Sequence, residues 1–138
     1  MRLAFMLTAA AIGVAGTAAS TNAHHAFSAE FDGNRPITLR GTVTRMEWVN
    51  PHSWIHLAVK NPDGTVEAWM IEAGAPNAMF RRGFRKDSLP PGTEILVEGF
   101  QAKSGKKLAN GRDLTFADGR KLFMGSSGTG APDERQEK

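Results

Sequence analysis

Apolar and polar residues alternate along much of this 138-residue chain, with the period of two that is typical of half-buried β-strands. In the first such stretch, Ile37, Leu39 and Val43 fall on one face, whereas threonines and arginines occupy the positions between them. The same alternation recurs further along the chain. It predicts strands over residues 36–48, 53–61, 66–73, 93–100, 113–116 and 121–124.

The first predicted strand contains two irregular features before it ends. Gly41 lies in mid-strand, which is typical of the sharp bend that a small barrel needs. The alternation slips at Arg45-Met46, which predicts a β-bulge. Asn50-Pro51 then ends the strand, because the proline ring fixes its own φ and keeps the preceding residue out of helical geometry.

One short helix separates the third predicted strand from the later ones. Residues 76–82 begin with a proline, which suits the first helical turn, and Gly83 closes the segment. Residues 103–112 are predicted to form a basic loop. The order of three strands, a short helix and then the later strands predicts an all-β domain with one short helix, in the form of a small OB-like antiparallel β-barrel. An open antiparallel sheet with one packed helix is the alternative, because both arrangements bury the same faces.

The first 23 residues have the features of a cleavable secretory signal peptide: Arg2, an apolar run, and small residues at the end. Cleavage after Ala23 would make His24 the mature N-terminus, and cleavage after residue 18, 19 or 20 is an alternative. We therefore expect a periplasmic or secreted protein with no integral membrane segment after cleavage. Residues 24–124 form the predicted domain, with an N-terminal arm over residues 24–36, and residues 125–138 form a disordered tail.

Composition removes several classes of function. The chain has no cysteine, so disulfides, thiol catalysis and thiolate metal sites are excluded. Its formal net charge is only +3, which gives little support to nucleic-acid binding. No nucleophile elbow, phosphate-binding loop or dinucleotide-binding motif is present, and no catalytic residue is predicted.

Histidines are the sharpest chemical signal. A mature chain beginning at His24 would present an α-amine and an imidazole on one residue, with His25 beside it. Nitrogen ligands favour copper most strongly among divalent first-row metals, with zinc behind. His52 is the candidate third ligand, and Glu72 can add an oxygen. The alternative is that the paired histidines are a remnant beside the cleavage site and that His52 is structural.

Aromatic and acidic residues suggest a second kind of site. Trp54 and Trp69, with Glu72, are candidate ligand-binding residues on the barrel surface, since indole rings stack on bases and sugars. The alternative is that these tryptophans are core anchors. Glu72 is also the candidate general acid or base of a small hydrolase, which would require a second carboxylate within reach. A basic cluster at residues 81–86 suggests contact with anionic lipid or an acidic partner, or simply a solvated face.

Several of these residues form motifs that resemble an uncharacterised bacterial secreted family, domain of unknown function 6152. The motifs are His24-His25-x-Phe27, Asn50-Pro51-His52-x-Trp54, Trp69-x-x-Glu72 and Pro76-Asn77. The resemblance implies a single secreted or periplasmic domain with an OB-like barrel, and it implies no established activity.

Three hypotheses about function follow. The first is a non-enzymatic binding or accessory module that binds a metal such as copper through its N-terminal histidines. The second is a protein-interaction module with a partner in an envelope complex. The third is a small hydrolase that uses Glu72.

Overall fold

The computed structural model describes residues 26–125. The predicted signal peptide, His24, His25 and residues 126–138 lie outside the described residues. Residues 26–30 are helical and are called the arm helix below. The regular elements that follow are β1 (Phe31–Glu47), β2 (Trp54–Lys60), β3 (Val66–Glu72), α1 (Pro76–Arg81), β4 (Glu94–Ala102), β5 (Leu108–Phe116) and β6 (Lys121–Phe123).

The strands close into a barrel. Their order in the sheet is β3-β2-β1-β4-β5-β6, and an additional parallel pairing joins β3 to β5. That pairing links Met70, Ile71 and Glu72 to Leu108, Ala109 and Asn110, so β1 to β5 form a ring with α1 in the connection between β3 and β4. The fold is therefore all-β with one short helix, an OB-like barrel as predicted, and the closure excludes an open sheet.

Strand β1 belongs to both halves of the barrel because it bends. Its first part pairs with β4, its last part pairs with β2, and Thr42 pairs with both. A Cβ at Gly41 would lie 2.5 Å from the carbonyl oxygen of Ala58, so only glycine allows this approach. The register shifts between Val43 and Arg45, which places the bulge just before the predicted Arg45-Met46 position.

The core consists of the apolar residues that alternate along the strands. In β2, Ile55, Leu57 and Val59 are buried, while in β3 the buried apolar residues are Trp69 and Ile71. Burying an aliphatic side chain of this size contributes about 1.5–3 kcal/mol. In a chain without disulfides, this core is what holds the barrel together.

The structure differs from the sequence prediction at two strand starts. Strand β1 begins at Phe31 and not at residue 36, because Phe31 is buried and pairs with Ala102 of β4. Strand β5 begins at Leu108, within the predicted loop, because Ala109 and Asn110 pair with both β3 and β4. Small and polar residues there show no hydrophobic alternation, so the long-range pairing leaves no local signal.

At the other end of the described chain, the carbonyl oxygen of Gly125 accepts a hydrogen bond from the guanidinium of Arg82 at 2.6 Å. Gly125 is buried, so this first residue of the predicted tail packs against the domain. Within residues 26–125, no helix combines the length and the hydropathy that a membrane crossing requires.

Candidate ligand-binding cleft

A cleft of about 390 Å³ lies at one end of the barrel, beneath the arm helix. Four parts of the chain line it: the arm helix, the corner between β1 and β2, the end of β3, and α1. The polar side chains in its lining are Glu30, His52, Glu72, Asn77 and Arg81. The cleft thus collects carboxylates, an imidazole, an amide and a guanidinium from segments far apart in sequence.

Glu72 is the buried acid of this cleft. It is only 7% exposed, and its Oε1 accepts a hydrogen bond from Asn110 Nδ2 at 3.1 Å. Burial raises the pKa of the Glu72 carboxyl above its ordinary 4.5, and the nearby charge of Glu30 raises it further, whereas His52 and Asn110 act in the opposite direction. Asn110 reaches Glu72 because the parallel β3–β5 register pairs the two residues.

His52 is held against Glu72 by the corner that carries it. Its Nδ1 lies 3.1 Å from Glu72 Oε1, and its side chain is 35% exposed. The next residue, Ser53, fastens the corner to the end of β3: its N–H donates to the Gly74 carbonyl at 3.0 Å, and its carbonyl accepts from the Ala73 N–H at 2.9 Å. Among the described residues, Nε2 of His52 has no hydrogen-bond partner. This nitrogen is therefore available to a ligand.

The arm helix packs on the barrel through Phe27. The Phe27 ring lies 5.8 Å from the ring of Phe31 and 5.7 Å from that of Phe100, measured between centroids. Lys103 adds polar contacts, since its N–H donates to the Glu30 carbonyl at 2.9 Å and its Nζ contacts the Ser28 carbonyl. These contacts place Ala26, the first described residue, in the lining of the cleft.

Only some of the metal ligands predicted from the sequence lie in the cleft. His52 and Glu72 come together in the cleft. His24 and His25 lie outside the described residues, directly before Ala26. Within residues 26–125, no three histidine, aspartate or glutamate side chains form a group that could hold a metal ion.

The two candidate tryptophans do not line the cleft. Trp69 is buried at 4% exposure, and its indole N–H donates to Glu67 Oε2 at 3.0 Å. Trp69 is therefore a core residue. Its role in binding a ligand stays a prediction. Trp54 is half-buried and pairs with Glu72 across β2 and β3, so it is adjacent to the acid without entering the cleft.

Glu47 and His56 form a separate group on the barrel surface. His56 Nε2 lies 3.2 Å from Glu47 Oε1 and 3.0 Å from an Arg45 guanidinium nitrogen. The carboxylate that accompanies Glu72 in the cleft is that of Glu30. Sequence reasoning missed Glu30 and Arg81 as cleft residues, and Asn110 as the partner of Glu72. Asn110 falls in the predicted loop, and only the strand pairing reveals its position.

This chain matches one family model and is similar to a solved structure. The model of a family described as "Family of unknown function (DUF6152)" matches residues 11–111. No curated protein matches this chain. One similar solved structure is a dimeric structure of the N-terminal domain of the PriB protein from Thermoanaerobacter tencongensis. It is 21% identical, the match covers 61% of this chain and 97% of that chain, and the TM-score is 0.42.

Proposed function

This chain belongs to the family of unknown function DUF6152, and we propose that it is an exported, non-enzymatic module that binds a copper ion in the cleft beneath its arm helix. The observation that carries the proposal is the position of Ala26, which lines the cleft together with His52 and Glu72. Cα atoms joined by one trans peptide bond are about 3.8 Å apart. His25 directly precedes Ala26 in the sequence, and we propose that the two histidines reach His52 from there.

The pairing of His52 with Glu72 suits a metal ligand. Histidines that bind metals usually donate their second ring nitrogen to a carboxylate or a carbonyl, which orients the ring and makes it a better ligand. Here Glu72 Oε1 lies 3.1 Å from Nδ1, so Nε2 is the nitrogen that would bind the ion. In this arrangement Glu72 positions His52, and Asn110 in turn holds Glu72.

Copper is the preferred ion because the donors are nitrogens. Divalent copper binds such ligands more tightly than zinc or nickel does. The imidazoles of His24, His25 and His52 would supply three nitrogens, and cleavage after Ala23 would add the α-amine of His24. Zinc would bind the same donors more weakly.

The test is a Cu(II) titration of the exported protein against a chromophoric chelator, after mass spectrometry has established its N-terminus. We expect His52→Ala, and the double variant His24→Ala with His25→Ala, each to lower the affinity at least about 10-fold. Glu72→Gln should lower it less, because the amide oxygen can still accept from Nδ1. His56→Ala is the matched control and should leave the affinity unchanged, since its ring pairs with Glu47 outside the cleft. Equal affinities for the wild type and His52→Ala would refute the copper site.

A second candidate function, a protein-interaction module, is favoured by the edge of β3. Strand β3 pairs with β2 along its whole length, but β5 reaches it only from Met70 onward. The Met70 N–H donates to the Lys107 carbonyl on the β5 side. Because successive backbone N–H groups point to alternate sides of a strand, the N–H groups of Val66 and Ala68 point to the same side as that of Met70. No described strand pairs with them there.

An extended segment of a partner protein can add to such an edge as a further strand. The outer surface beside the edge is apolar, with Val66 65% exposed and Met70 39% exposed. A photo-crosslinker at Val66 should capture an envelope protein, and one at Asp118 in the distant β5–β6 turn should not. Ala68→Pro removes an N–H that β2 does not use, so it should abolish the capture while the barrel stays folded. Capture that persists in Ala68→Pro would exclude this mode of binding.

A further inference from the structure

One carboxylate oxygen of Glu72 has no hydrogen-bond partner in the described part of the chain. The side chain is only 9% exposed, and the groups that contact it, Asn110 Nδ2 and His52 Nδ1, both lie 3.1 Å from Oε1. Since Oε1 is turned toward these donors and Glu72 lines the cleft, Oε2 is the oxygen that faces the cleft. A carboxylate oxygen withdrawn from bulk water is costly unless a donor or a cation meets it.

Two further acceptors line the same cleft. Because Nδ1 of His52 lies against the Glu72 carboxylate, the neutral ring carries its proton on Nδ1, and Nε2 is an acceptor. Within residues 26–125, the carboxylate of Glu30 has no hydrogen-bond or ion-pair partner, since Lys103 contacts the backbone carbonyl of Glu30. The charge of Glu30 also raises the pKa of Glu72, so the two carboxylates lie close enough to share one cation.

The rest of the lining suits an organic cation. Phe27, Phe31 and Pro51 contribute apolar surface, and the volume of about 390 Å³ falls within the range of roughly 300–1,000 Å³ that is typical of small-molecule sites. Arg81 is the cationic side chain of the lining, and its charge opposes a cation. Because Arg81 is exposed, water and salt screen its charge more strongly than that of the buried Glu72.

We propose that the cleft binds a primary alkylammonium ion, whose N–H groups donate to Glu72 Oε2, the Glu30 carboxylate and His52 Nε2. An ammonium group carries three donors and no acceptor, so it matches these three acceptors. Its hydrocarbon part would lie against Phe27 and Pro51. This site does not rest on the copper proposal. Since both ligands use Nε2 of His52, an alkylammonium ion and a copper ion would exclude each other.

The test is a titration of the full exported protein with n-butylammonium, in the presence of a metal chelator, followed by NMR shifts of the backbone amides. Glu72→Gln should lower the affinity at least about 10-fold, because a hydrogen bond between charged groups is lost. The amide oxygen of this variant can keep the contacts of Oε1, whereas its NH₂ group places donors where the ammonium needs an acceptor. Glu30→Gln should lower the affinity several-fold. Glu47→Gln is the matched control and should bind like the wild type, since it removes the same charge from the pair with His56 outside the cleft.

The neutral analogue 1-butanol separates recognition of the ammonium from burial of the hydrocarbon chain, and it should bind more weakly than n-butylammonium. Equal binding of the two probes would overturn the proposal, as would a wild type that does not bind n-butylammonium. Equal affinities of Glu30→Gln and Glu47→Gln would show that the probe responds to net charge alone, and would also overturn it. Glu30 is exposed, so this comparison remains possible if Glu72→Gln does not fold. Because no metal is present, these results leave the copper site to its own titration.

Discussion

Gly99 of β4 connects the packing of the barrel to the geometry of the cleft. A Cβ at this position would lie 2.0 Å from the carbonyl oxygen of Asn110, whereas ordinary contacts begin at 3.4 Å. The obstacle is backbone on the neighbouring strand, so no side-chain rotation can relieve it. Gly99→Ala therefore requires β4 and β5 to separate by about 1.4 Å, the difference between those two distances.

We expect this substitution to cost about 3 kcal/mol, at the upper end of the range for overpacked positions, because a strand has to move. For a domain of this size, that corresponds to a fall in Tm of roughly 12–24 °C. The displacement should also weaken the hydrogen bond from Asn110 to Glu72, which is 3.1 Å long. Copper affinity of the folded fraction should fall with it.

Urea denaturation followed by tryptophan fluorescence measures the free energy of unfolding, and Gly33→Ala is the matched control. Gly33 lies in β1, and a Cβ there would be 3.9 Å from the nearest atom, a Phe27 ring carbon. Both variants lose the backbone freedom of glycine in the unfolded state, so the difference between them isolates the steric cost. A Gly99→Ala protein within about 0.5 kcal/mol of Gly33→Ala would refute this reasoning.

Three further predictions concern the cleft and the core. Burial holds the pKa of Glu72 above 4.5. The contribution of this carboxyl to the free energy of unfolding is therefore fully present below about pH 4.5 and is lost as the pH rises through the raised pKa. The side chain of Glu72→Gln cannot ionise. The free energy of unfolding of this variant, measured by urea denaturation, should therefore change less with pH than that of the wild type. Parallel pH profiles would contradict the raised pKa of Glu72. Phe27→Ala removes the ring contacts with Phe31 and Phe100, and should lower copper affinity several-fold in the chelator titration although Phe27 carries no donor. Leu57→Ala leaves a core cavity and should cost about 2–5 kcal/mol, with no change in the copper affinity of folded protein.

Local patterns predict β2, β3 and α1 to within a residue or two. Their signals lie inside each element: the alternation of Ile55, Leu57 and Val59, and a helix that begins at Pro76 and is closed by Gly83. The bend at Gly41 is also predictable, because glycine in a strand has few other uses. Together with the order of the elements, these cues suffice for the OB-like fold.

The cleft depends on contacts that leave no local pattern. Asn110 meets Glu72 only because β3 and β5 pair in parallel, and its segment of small residues resembles a loop in the sequence. Arg81 belongs to a basic cluster whose composition does not show which arginine enters the cleft. Residue types and their spacing thus determine the strands and the pair of candidate ligands, His52 and Glu72. Only the closure of the barrel and the docking of the arm helix decide which other side chains join them, because those contacts link residues far apart in the chain.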